Sequence, residues 1–242
     1  MFLKKVFLSI YVLVLLVSQA SAANFVTIDP PGSVFTEVWD VDEDGQMVGL
    51  FVDTSGAVHG FLRDDDGDFT TLDFPGESRT AAFGMNEDGD IVGAFISSAG
   101  AFRGYLRDSS GNFSVIDFPG AAGTQAWDVN EDGQIVGDYA DNNGNFHGYL
   151  LENGNFTTID VPGATETLAR GINEDGEIVG FYIDANGVDH GFLRDEDGNF
   201  TTIDVPGAAS TNAIGINEDG EEIVGYYLDT NGVYNAPRNL DI

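Results

Sequence analysis

Apolar and polar positions alternate in short runs along most of the chain, and nearly every run ends at an Asp-Gly, Asn-Gly or Pro-Gly signal. Between 168 and 206 the runs are 168–173, 177–184, 188–194 and 199–205. They are parted by Glu174-Asp175-Gly176, Ala185-Asn186-Gly187, Asp195-Glu196-Asp197-Gly198 and Pro206-Gly207. Period-two runs rich in β-branched and aromatic residues, bounded by such pairs, predict strands joined by tight hairpins. No helical period of useful length interrupts them.

The pattern repeats. The glycine of an Asn/Asp-Glu-Asp-Gly tetrad falls at Gly45, Gly89, Gly133, Gly176 and Gly220, and the proline of a Pro-Gly pair at Pro31, Pro75, Pro119, Pro162 and Pro206. Four strands in each of five units of 43 or 44 residues are the pattern of propeller blades. The expected fold is all-β, a five-bladed β-propeller with four antiparallel strands per blade, the blades spanning 33–75, 76–119, 120–162, 163–206 and 207–242. The fifth unit offers only three strands, at 212–217, 222–229 and 233–239. Its fourth is expected from 24–29, because ANFVTIDPPG at 23–32 repeats the phrase that closes the other units (DFTTLDFPG, NFSVIDFPG, NFTTIDVPG). Such a strand would close the ring between the last and first blades and remove an open edge.

The first 22 residues stand outside this pattern. Lys4 and Lys5 precede an apolar run from Val6 to Val17, and Ala20-Ser21-Ala22 has the small residues of a cleavage site, so 1–22 reads as a secretory signal peptide cut after Ala22. The run is too short to span a bilayer. The expected product is a secreted, monomeric single domain over 23–242 with no membrane span. It has no cysteine, and a chain of this length can bury a core without disulfides. The leader takes two of the nine basic residues, leaving seven arginines against 41 acids. That balance excludes nucleic acid and anionic lipid as partners and favours cations or basic partners.

The repeats resemble the HAF-type extracellular repeats of bacteria. The residues that carry the resemblance are His59-Gly60-Phe61, Arg103-Gly104-Tyr105, His147-Gly148-Tyr149 and His190-Gly191-Phe192, together with GINEDGEIVGFY at 171–182. Glycine replaces the family's alanine in four units, and Asn235-Ala236-Pro237 stands in the fifth. The resemblance implies a secreted repeat protein and no particular activity.

Residues present in every unit serve blade geometry. Asp29, Asp73, Asp117, Asp160 and Asp204 before Pro-Gly are expected to satisfy turn amides, and Phe25, Phe69, Phe113, Phe156 and Phe200 to pack between blades. Positions that break the repeat are the candidate site. On the first strand of each unit one position reads Trp39, Phe83, Trp127, Arg170 and Ile214, and the next reads Asp40, Gly84, Asp128, Gly171 and Gly215. First strands line a propeller's axis, so Trp39, Asp40, Trp127, Asp128 and Arg170 would gather there and suit an extracellular carbohydrate or a cell-surface protein. If Asp40 and Asp128 flanked a glycosidic bond they could act as acid and base, the glycoside hydrolase alternative. A purely structural protein with calcium- or salt-dependent stability is the other. Asp40-x-Asp42-x-Asp44-Gly45 and Asp128-x-Asn130-x-Asp132-Gly133 match the first half of a calcium loop, although Phe51 and Tyr139 replace the closing glutamate. Asn112, Asn155 and Asn199 begin glycosylation sequons, each at the same turn of the repeat.

Overall fold

A computed structural model describes residues 26–236 and Leu240. These form a five-bladed β-propeller, all strand and turn, in five separate antiparallel sheets. Blade 1 holds β1 (Ser33–Val41), β2 (Met47–Asp53), β3 (Val58–Arg63) and β4 (Phe69–Leu72). Blade 2 holds β5 (Thr80–Met85), β6 (Ile91–Ile96), β7 (Phe102–Arg107) and β8 (Phe113–Ile116). Blade 3 holds β9 (Gly123–Val129), β10 (Ile135–Ala140), β11 (Phe146–Glu152) and β12 (Asn155–Ile159). Blade 4 holds β13 (Glu166–Ile172), β14 (Ile178–Ile183), β15 (Asp189–Arg194) and β16 (Phe200–Ile203), and blade 5 holds β17 (Ser210–Ile216), β18 (Ile223–Leu228) and β19 (Tyr234–Asn235). No described helix is long and apolar enough to cross a membrane.

The turns explain much of the acidic composition. At the tip between β9 and β10, Gly133 takes a φ of 71° and its N–H reaches the Asn130 carbonyl, while Asn130 Oδ1 accepts the Gln134 N–H at 2.9 Å. Asp53, Asp64, Asp108, Asp141, Asp184, Asp195 and Asp229 fill the same capping role in other hairpins. Bonds to turn amides and neighbouring amides hold the carboxyls of Asp108, Asp184, Asp195 and Asp229 below the usual range, and the Ser55 hydroxyl, aided by amides, holds Asp53 down to about 2.

Inside each of the first four blades, a large residue of the third strand is fully buried: Phe61, Tyr105, Tyr149 and Phe192. Each packs its ring against the fourth-strand phenylalanine, as in Phe61 with Phe69, centroids 5.7 Å apart. The repeated Phe therefore packs first within its own blade. Phe113 and Phe156 also meet Phe74 and Phe118 of the preceding Pro-Gly turn.

Between blades the contact is small against small. A Cβ added to Gly60 would lie 3.4 Å from the Ala82 amide, and one on Gly191 would lie 3.5 Å from Ala213 Cβ. Ala82, Ala126, Ala169 and Ala213 are all 0 % exposed. Thr80, Thr124, Thr167 and Thr211, two residues earlier, are buried too, and each hydroxyl accepts the N–H of the residue before Pro-Gly. This corrects the expectation for the repeated aspartates. Asp73, Asp160 and Asp204 instead hold His59, His147 and His190 at 2.9–3.0 Å, and Asp117 holds Arg103 at 3.0 Å.

The fifth-to-first seam differs. β1 packs on β2 and β5, and Val38 is 41 % exposed where the other blades bury alanine. Residues 26–30 carry no strand, and Asn24 and Phe25 of the expected closing strand lie outside the described residues, as does the leader. In blade 5 the third strand is shorter than expected, only Tyr234–Asn235. The chain returns at Leu240, whose N–H donates to the Ile223 carbonyl at 2.8 Å. Leu240 is buried against Gly225, in the place that Tyr105 takes against Gly93.

Candidate functional site

Each first strand carries a β-bulge at one position. Val38 pairs with Gly49 and Asp40 with Val48, leaving Trp39 unpaired, and the same slip leaves Phe83, Trp127, Arg170 and Ile214 unpaired. The extra residue turns its side chain out of the ladder and toward the axis. The glycine after Ile/Met-Val makes the bulge fit: a Cβ on Gly49 or Gly137 would overlap the carbonyl oxygen of Glu37 or Gln125. The five bulge residues are the position that broke the repeat in the sequence.

Four of the five side chains meet. Phe83 stacks on Trp127 with centroids 4.3 Å apart, and Trp39 stands edge-on to both, at 5.4 Å from Phe83 and 5.5 Å from Trp127. Arg170 lies over the Trp127 ring at 4.1 Å and near Phe181 at 5.3 Å. Its guanidinium donates to Asp138 Oδ1 at 2.5 Å, and the same oxygen accepts Trp127 Nε1–H at 2.6 Å. Asp138 is 1 % exposed, so this is a buried ion pair with its donors in place. Trp39 is 40 % exposed.

Asp138 was missed by sequence reasoning, although a signal existed. Its position on the second strands reads Leu50, Ala94, Asp138, Phe181 and Tyr226, a second break of the repeat. Lumen-facing positions two residues before the bulge read Glu37, Ala81, Gln125, Leu168 and Asn212. The alternation shows their direction: in β5 and β9 these residues are partly exposed, while the Thr and Ala between them are buried.

Asp40 and Asp128 do reach the axis, but as ties between blades. Asp40 accepts the N–H groups of Val41 at 2.8 Å and Met85 at 3.0 Å, and Asp128 accepts those of Val129 and Ile172, both at 2.9 Å. Glycine at 84 is required there, since a Cβ would come within 2.9 Å of Asp128 Oδ1. Burial raises both carboxyls, with Asp128 pushed well above the usual range and the charge of Asp40 adding to its shift. All four oxygens already hold backbone amides, which leaves neither carboxylate free to work on a glycosidic bond.

The six residues of the two calcium-type loops likewise disperse. Asp40 and Asp128 turn into blade contacts, Asp42 and Asn130 cap their own turns through bonds to Gln46 and Gln134, and Asp44 and Asp132 stand exposed at the tips. Among the described residues no three His, Cys, Asp or Glu side chains gather as a metal site requires. The acidic mouth of the axis is instead a chain of glutamates: the Glu43 N–H donates to Glu87, that of Glu87 to Glu131, and that of Glu131 to Glu174. Burial, and then its four fellow glutamates, raise the Glu218 carboxyl.

No family model matches the chain, and no curated protein matches it. Solved structures do. TolB from Acinetobacter baumannii superposes with a TM-score of 0.57 at 20 % identity, over 81 % of this chain and 53 % of that one. A putative TolB from Agrobacterium tumefaciens gives 0.56 at 17 % identity over 72 % and 67 %, and an S511A mutant of puromycin hydrolase complexed with PGG gives 0.56 at 16 % over 83 % and 35 %. The chain thus spans about half the length of the A. baumannii protein. At these identities the likeness is one of fold: the chain is similar to β-propellers, and its own site rests on its own residues.

Proposed function

We propose that this is a secreted, non-catalytic binding module that takes a glycan into its axial lumen. The observation that supports this reading is that bulges set strongly varying residues of an otherwise repetitive scaffold on the first strands, where Trp39, Phe83, Trp127 and Arg170 meet and Trp39 stays 40 % exposed. Sugar rings stack their C–H faces on such surfaces while hydroxyls bond to nearby polar groups. Gln125 supplies an amide at the same level, and Tyr226 a hydroxyl. In the same reading, 24–29 supplies the fourth strand of blade 5 and the chain acts as a monomer.

The test uses the protein's own fluorescence. Trp39 and Trp127 are its two tryptophans, and both belong to the lumen. Titration with a panel of plant, fungal and bacterial oligosaccharides is expected to shift their emission for at least one member, with Trp127→Ala losing that binding. A panel that leaves the emission unmoved, with calorimetry silent as well, overturns the proposal.

A further inference from the structure

Building on the lumen as a glycan site, we propose that it selects a sugar bearing a free amino group, and that Glu37 is the residue that reads it. Glu37 lies on β1 two residues before the Trp39 bulge, at the position that Ala81 and Gln125 take on the lumen-facing side of β5 and β9. It is the one carboxylate among its five equivalents, the others being Ala81, Gln125, Leu168 and Asn212. Among the described residues its carboxylate has no hydrogen-bond or ion-pair partner, although the side chain is only partly exposed. Burial raises its carboxyl, as expected for a charge held away from water without compensation.

Among the described residues, the rest of the lumen offers Glu37 no counter-charge. Arg170 is the sole cation at the lumen-facing positions of the five first strands, and Asp138 already neutralises it while Trp127 and Phe181 cover it. A ligand that satisfies Glu37 must therefore bring donors. A hydroxyl brings a neutral one; an ammonium brings a charged one, which makes a shorter and stronger bond. The exposed Trp39 ring beside it attracts the ammonium or the C–H face of the ring that carries it. The formal charge of −32 raises the local concentration of cationic sugars and repels uronic acids and sulfated glycans.

Three probes separate the alternatives: the β-1,4-linked glucosamine dimer, its N-acetylated form and the glucose dimer, at one moderate ionic strength. The expected result is that the free amine binds about tenfold tighter than either neutral dimer, and that Glu37→Gln removes that advantage so that the three dimers bind alike. General attraction to an acidic protein cannot mimic this, since the substitution alters one charge among many. Its melting temperature should hold or rise, because the carboxylate that Glu37→Gln removes has no partner and is partly desolvated. Equal affinity for the free and acetylated amines, or a Glu37→Gln protein that keeps the preference, overturns the inference while the binding module stands. Failure of all three dimers, and of the wider panel, sinks both readings.

Discussion

Asp42 stands where the next three blades carry Asn86, Asn130 and Asn173. The asparagines use both ends of the amide. Asn86 Oδ1 takes the Asp90 N–H at 2.9 Å and its Nδ2 donates to the Asn130 carbonyl at 3.1 Å, and Asn130 repeats the second bond to Asn173. Asp42 Oδ1 takes the Gln46 N–H at 2.7 Å in the same way, so Oδ2 falls where the other blades place a donor, and it is buried without a partner. An oxygen cannot tie blade 1 to blade 2. Asp42→Asn should restore the tie and raise stability by about 1–2 kcal/mol, with the melting temperature up by about 2–4 °C per kcal/mol for a chain of this size. Asn130→Asp should lower it by a similar amount. Thermal melts of the two variants decide the matter, and an Asp42→Asn protein that melts no higher would mean that the orphan oxygen already holds something, a cation first.

Strands and hairpins were legible because their period and punctuation are local. β13 to β16 fall within two residues of the expected limits. The third strand of blade 5 was overextended because Ala236 and Pro237 interrupt the His-Gly-aromatic pattern; proline has no N–H for a ladder, and β19 stops at Asn235. That Leu240 refills the aromatic pocket depends on where the chain returns in space, which no periodicity reports. The bulges were half legible: their variable residues and glycines stood out, but the one-residue slip is a property of pairing. Asp138 escaped because only first strands were searched for breaks in the repeat. The seam is the element that tests the expected closure. Asn24 to Asp29 repeats the fourth-strand phrase, and its Pro31-Gly32 turn leads into β1 as Pro75-Gly76 leads into β5. If that segment covers the face of β1 beside blade 5, its deletion should lower the melting temperature and yield concentration-dependent oligomers through the freed edge. A deletion protein that stays monomeric and melts like the parent would falsify the closure.

Over the whole molecule, two populations of acids pull stability in opposite directions with pH. The capping aspartates, Asp53 and its kin, have folded values below their unfolded ones, so their contribution is present above about pH 4 and lost as pH falls through the folded values. Asp40, Asp128, Glu37 and Glu218 have raised values, so the folded state binds their protons more tightly. Their contribution is fully present below about pH 4 and lost as pH rises through the raised values. The melting temperature should therefore peak in mild acid, higher at about pH 5 than at about pH 8, and drop again below about pH 4. Salt separates the causes of the alkaline deficit. Repulsion across the glutamate mouth and the formal charge of −32 is screened by sodium chloride, whereas desolvation of Asp40 and Asp128 is not. Added salt should thus narrow the gap between the two pH values without closing it, and Glu218→Gln should narrow both the salt-sensitive and the salt-insensitive part, since burial and then its fellow glutamates raise that carboxyl. Calcium at matched ionic strength should do no more than sodium, because the carboxylates of the two loop motifs are spread among separate tasks; a rise specific to calcium, reversed by EDTA, would show that they regroup around the ion.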